Sequence, residues 1–150
     1  MRLRLLIALS AATSLLGACQ QHDGDAQDAT ARKHEGRNHF TAIAPEETLR
    51  FSGTEPFWGG SVTGSTLTWT TPDKPEGTTI KVDRFSGNNG LGFSGKLDAA
   101  QFNMAVTHAP CSDGMSDRVY PFTVTVEISE APQSGCGWTE KMPFKGPERP

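Results

Sequence analysis

The chain lacks an apolar run of roughly 20 residues, the length a helix needs to cross a bilayer. Its longest apolar stretch, Leu5 to Leu16, is too short for that. Positive charge is also sparse. Between residues 46 and 140 six Lys and Arg stand against twelve Asp and Glu. A nucleic-acid partner needs a basic surface that displaces counterions from phosphate, so this composition excludes one. An anionic membrane surface is equally unsuited, whereas a basic protein is favoured electrostatically. Cysteine occurs three times, as Cys19, Cys111 and Cys136. Beyond the first 18 residues no stretch repeats apolar residues with a helical period, which leaves strands as the means of building a core.

What is present begins at the N-terminus. Arg2 and Arg4 precede the apolar stretch, and Leu16-Gly17-Ala18-Cys19 follows it. Positive residues, a short apolar region and small residues before a boundary describe a signal peptide over residues 1–18. The boundary resembles a bacterial lipobox, which implies that Cys19 carries a diacylglycerol and further acyl chains such as palmitate. Each buried CH₂ contributes about 0.8 kcal/mol, and stable anchoring requires more than one chain. Gln20 follows Cys19, where an aspartate would favour retention at the inner membrane, so the resemblance implies the outer membrane, facing the periplasm. The alternative is an ordinary secretory signal followed by an incidental cysteine. Without residues 1–18 the formal charge moves from −3 to about −5.

With Cys19 assigned to lipid, Cys111 and Cys136 remain as a pair, and in an oxidising compartment a pair is most simply a disulfide. It would close a loop worth about 3–4 kcal/mol in chain-entropy reasoning. Residues 19–45 are polar and mixed in charge, a flexible tether that cannot offset its own chain entropy. Its histidines, His22, His34 and His39, are too scattered to define a metal geometry. From Lys141 to Pro150 the proline-rich sequence reads as a loose tail. Residues 46–140 form one domain. Tyr120, Phe122, Val124, Val126 and Ile128 alternate with polar residues, as do Leu91, Phe93 and Leu97, and Phe102, Met104 and Val106. Gly64-Ser65, Gly87-Asn88-Asn89-Gly90 and Asp98-Ala99-Ala100 mark turns. The pattern predicts an all-β fold: a small antiparallel meander of seven or eight strands forming a barrel or sandwich, with one disulfide.

Two stretches are dense enough in chemistry to consider as sites. GTEPFW begins at Gly53, and CSDGMSDRVYPF begins at Cys111, with GCGW from Gly135. Together they resemble a group of bacterial membrane-associated lipoproteins that carry the same elements, sometimes beside heat-shock META-type domains. The resemblance brings no established reaction. It implies an envelope location, a small β fold and the Cys111–Cys136 disulfide.

Among individual residues, His108 with Cys111 suggests a base and a thiol nucleophile. His108 continues the parity of Phe102, Met104 and Val106, however, so it is expected to end a core-facing strand. His108, Cys111, Asp113 and Met115 form a poor metal set of mixed hard and soft ligands. Glu55 and Asp113 have the residue types of a paired-carboxylate hydrolase. The preferred reading is structural: Asp113, Asp117 and Arg118 brace the disulfide-closed loop, and Glu55 accepts backbone amides or pairs with Arg118. Trp58 and Trp138 are expected to pack near one end of the barrel against the disulfide, a plugged base that resembles lipocalin-like architecture. No catalytic residue, cofactor or metal is assigned. The expected activity is non-enzymatic binding or envelope maintenance, with a basic protein or a small apolar ligand as partner. The alternatives are an inhibitor of a lysozyme-like or other hydrolase, and a carrier of an apolar ligand inside the barrel.

Overall fold

The structure is a computed structural model that describes residues 39–147. The expected signal peptide, Cys19, the expected tether up to Asn38 and residues 148–150 lie outside the described residues. Eight strands follow one another: β1 (Leu49–Gly53), β2 (Trp58–Thr63), β3 (Thr66–Thr71), β4 (Lys74–Ser86), β5 (Gly90–Leu97), β6 (Ala100–Cys111), β7 (Tyr120–Ile128) and β8 (Ala131–Trp138). Each pairs antiparallel with the next, and β1 also pairs with β8, from Arg50↔Trp138 to Gly53↔Gly135. The meander is therefore a closed barrel, and closure leaves no unpaired sheet edge.

Alternation decides which side chains enter it. Along β7, Phe122, Val124 and Val126 are fully buried, while the residues between them face outward. β6 repeats the pattern with Phe102, Met104 and Val106. Register carries it from strand to strand: Phe93 lies opposite Met104, which lies opposite Val126. Burying each such side chain contributes about 1.5–3 kcal/mol. An eight-stranded barrel has an interior just wide enough for side chains to fill. Here Leu49, Phe51, Trp58, Trp69, Phe93 and Phe102 are among those that fill it.

The turns have the residues their geometry requires. Ser129 and Glu130, joining β7 to β8, both have positive φ (50° and 68°), the conformation of a two-residue hairpin turn matched to strand twist. Asp98 takes the same region between β5 and β6. Pro121 offers no amide and sits where the β6–β7 register shifts, between His108 and Cys111 on the facing strand. β4 is the strand the sequence conceals. Its first residues, Lys74-Pro75-Glu76-Gly77, read as turn chemistry, yet they extend a 13-residue strand whose buried members are Ile80 and Val82.

In an up-and-down meander alternate turns share an end. The upper end carries the β1–β2, β3–β4, β5–β6 and β7–β8 turns. The lower end carries the other three, together with the segments entering β1 and leaving β8. Both segments correct the expected boundaries. Before β1, Phe40 N donates to Gly87 O at 2.8 Å, Phe40 meets Phe122 edge-on, and Ile43 is buried. Arg84 Nη2 donates to Ile43 O at 2.7 Å. The segment from His39 onward is therefore part of the domain rather than of the tether. After β8, Thr139 N donates to Met142 O, Met142 N donates to Thr139 Oγ1, and Lys145 bridges to Val119. Residues 141–147 form a strap across the start of β7, not a loose tail, because Met142 and Phe144 find apolar partners there.

Candidate functional site

Glu55 occupies the β1–β2 turn at φ 59°, after Gly53 and Thr54 and before Pro56. Its side chain is exposed and accepts no hydrogen bond from the described residues. Neither expected partner holds it. Arg118 donates from Nε to Pro147 O at 2.8 Å, and its guanidinium carbon lies 4.6 Å from the centre of the Phe144 ring. The strap thus engages the arginine where the sequence reading had placed Glu55. The adjacent Phe57 is also exposed.

Trp58 is buried and stacks on Trp69 with ring centres 5.1 Å apart. It fits because Gly53 and Gly135, opposite each other on β1 and β8, have no side chain: a Cβ on either would overlap the indole. Its Nε1 is buried without a hydrogen-bond partner. Trp138 departs from the expected arrangement. It pairs with the exposed Arg50 and is half-buried, in a second aromatic cluster with Tyr120 and Phe144 at 5.4 and 6.0 Å. One position separates Trp138 from the inward Gly137, and that parity puts the two tryptophans on opposite sides of the wall.

The disulfide joins Cys111 to Cys136, with Cα atoms 5.5 Å apart. Since β7 lies between β6 and β8 in the sheet, the link pulls the end of β6 across the barrel's outer surface. The loop it closes is organised by Asp113. Oδ1 accepts from Met115 N (3.0 Å) and Ser116 N (2.9 Å), and Oδ2 accepts from Ser116 Oγ (2.8 Å) and Tyr120 OH (3.2 Å). Burial raises the Asp113 pKa, but these donors outweigh it and bring it below the ordinary value. Thr54 Oγ1 reaches Asp113 O at 3.4 Å, so the loop touches the β1–β2 turn. Asp117 is exposed and takes no part in this network.

These positions decide several chemical readings. Asp113 has both oxygens occupied by donors, while Glu55 takes none among the described residues, so the two carboxylates sit in unlike environments. Cys111 is oxidised and offers no thiolate. His108 is exposed at the lower rim, its ring tilted against those of Phe40 (6.1 Å) and Phe122 (5.5 Å), rather than buried in the core. The β6–β7 register shift begins at His108, which ends the inward alternation there. Among the described residues no group of three or more His, Cys, Asp or Glu is placed to hold a metal.

The structure assembles three features the sequence reading missed. First, every turn at the upper end carries an exposed carboxylate: Glu55, Asp73, Asp98 and Glu130. They are far apart in sequence, and only strict alternation of turn ends could have grouped them. Second, Glu47 is a buried carboxylate whose side chain is 7% exposed, paired through Oε2 with Lys141 Nζ at 3.3 Å. The Thr139 hydroxyl turned toward it does most to lower its pKa, against burial, with Lys141 and the Ala44 backbone adding to the effect. No hydrogen bond closes on Oε1. Third, Pro110, Val119, Tyr120, Pro121 and the strap residues Met142 to Lys145 line a groove of about 410 Å³ at the lower end. Compared with family models, with curated proteins and with solved structures, the chain matches none.

Proposed function

We propose that this chain is an envelope lipoprotein, anchored through Cys19 at the outer membrane and facing the periplasm, that works by binding a basic protein at the upper end of its barrel. The observation that carries the reading is the carboxylate on each of the four upper turns, all exposed and taking no hydrogen bond from the described residues. They outnumber the exposed cations of that end, Lys74 and Lys96, and the resulting negative charge steers a cationic partner and disfavours an anionic one. Exposed Phe57 beside Glu55 supplies an apolar anchor within that face. The lipobox and the GTEPFW, CSDGMSDRVYP and GCGW elements support the location. The occupied carboxylate of Asp113 and the oxidised Cys111 support binding over catalysis. Side chains filling the barrel weigh against an apolar ligand carried inside.

The same acidic face favours one specific version of this reading, inhibition of a lysozyme-like hydrolase, because such enzymes are basic. Calorimetric titration of the protein with a lysozyme and with polylysine, at low and at physiological salt, tests both. Binding is expected to weaken as salt rises. It should fall at least tenfold in a variant with Glu55→Gln, Asp73→Asn, Asp98→Asn and Glu130→Gln. Undiminished binding by that variant, or none to either probe at micromolar concentration, removes the proposal. Turnover abolished by Glu55→Ala would replace it with an enzyme. The anchor is read separately, from the intact mass at Cys19.

A further inference from the structure

The outer wall of the barrel over β4 to β7 has a feature that neither end explains. Phe85 stands on it 71% exposed. Pairing sets Phe85 in one outward row with Gly92, Ala105 and Thr125. The next row toward the upper end holds Asp83, Ser94, Asn103 and Glu127. Together they border a hollow of about 380 Å³ whose floor is made of small residues. Gly92 lies at the middle of that floor, and the fold does not require a glycine there. A Cβ at Gly92 would meet only the Phe85 Cβ, at an ordinary 3.9 Å, whereas at Gly90 or Gly95 it would overlap the backbone of the neighbouring strand. A glycine inside a strand without such a reason marks close approach by something from outside.

The wall is complementary to itself. A two-fold axis laid along β5 sets each side chain opposite one from the same row, an equal number of strands beyond the axis, in a second copy. Phe85 then falls on Ala105 of the second copy, and each ring enters the other's hollow. Asp83 falls on Asn103 by the same operation. Gln101 Nε2 donates to Asn103 Oδ1 at 3.3 Å, which leaves the Asn103 amide to donate toward that carboxylate. Charge permits the contact. The exposed charges around the hollow, Lys81, Asp83, Lys96 and Glu127, balance, while residues 46–140 as a whole are acidic and repel their own copy. The like pair that the axis creates, Lys96 with its copy, lies at the exposed upper rim, where solvent and salt screen it. An axis along a strand also keeps both upper ends on one side.

We propose that the wall over β4 to β7 is an isologous interface with a second copy of this chain, the Phe85 ring of each filling the hollow over Gly92 and Ala105 of the other. The pairing sets two acidic ends side by side, so a basic partner with two cationic patches is held at both. That consequence rests on the acidic-end reading, whereas the interface itself does not.

The test is sedimentation equilibrium of the full chain in density-matched detergent, from micromolar concentration upward. The expected mass is that of two chains, and association should strengthen with added salt, which screens the repulsion between two acidic copies. Phe85→Asp places a charge at an exposed position, and Gly92→Leu fills the hollow. Each should weaken pairing by about tenfold or more, and circular dichroism confirms that both are folded. Gly92→Cys, on the axis, is expected to form an intermolecular disulfide under mild oxidation, while Ser61→Cys on the outer face of β2 is not. A single-chain mass at every concentration reached, or pairing that both folded variants retain, overturns the proposal. If the native chain pairs but binds neither lysozyme nor polylysine, the acidic-end reading falls and this one stands. A single-chain mass with that binding intact removes this one alone.

Discussion

At the scale of single residues, the carboxylates sort by their partners. Asp113 is held by donors from its own loop and from Tyr120. Asp113→Ala leaves those donors unpaired and is expected to cost about 2–3 kcal/mol in urea unfolding. Glu55→Ala removes an exposed side chain without a hydrogen bond and should change stability by less than about 0.5 kcal/mol. Asp113 and Glu47 both have folded pKa values below their ordinary 3.8 and 4.5. A depressed carboxylate stabilises the fold above its unfolded pKa and loses that contribution as pH falls through the folded value. Stability should therefore decline on acidification below roughly pH 4.5, and the double variant Glu47→Gln/Asp113→Asn should flatten that decline. An unchanged acid limb in the double variant would mean that other groups control it. The sequence identified Asp113 as a loop brace from its Ser-Asp-Gly context. It could not identify the buried role of Glu47, whose ion pair with Lys141 joins residues on opposite sides of the whole barrel sequence.

At the scale of elements, the β7–β8 turn and the Gly53–Gly135 pair make opposite predictions. Ser129 and Glu130 hold positive φ, which Asn and Gly adopt at less cost. Ser129→Asn with Glu130→Gly should stabilise the protein by about 1 kcal/mol, read as a higher melting temperature. Gly53 lies against the Trp58 ring, so Gly53→Ala forces the ring to move. A loss of about 1–3 kcal/mol is expected, recovered in part by Trp58→Phe. If Gly53→Ala is neutral, the indole does not occupy the space assigned to it. β6 and β7 were legible because alternation reports one buried face directly. β4 was not, because its first turn of residues is exposed, contains Pro75 and Gly77, and is paired only through contacts with β3.

At the scale of the whole molecule, the disulfide and barrel closure govern both stability and polarity. Cys111→Ser with Cys136→Ser should lower stability by about 3 kcal/mol, since the link closes a 25-residue separation. Equal stability of the variant without the disulfide would show that barrel packing alone sets the stability. Closure also gives the molecule two unlike ends, one with a carboxylate on each turn and one where the N-terminal segment and strap cover the barrel. The sequence by itself determined the strand class, the alternating core, the pairing of the cysteines and the turn that Asp113 organises. All of these depend on neighbours within a few residues, or on a count of three cysteines. Only the tertiary structure decided that Arg118 meets the strap instead of Glu55, that Trp58 and Trp138 lie on opposite sides of the wall, and that four distant acids share one end. Those relations follow from closure and register, which bring together residues that no local pattern connects.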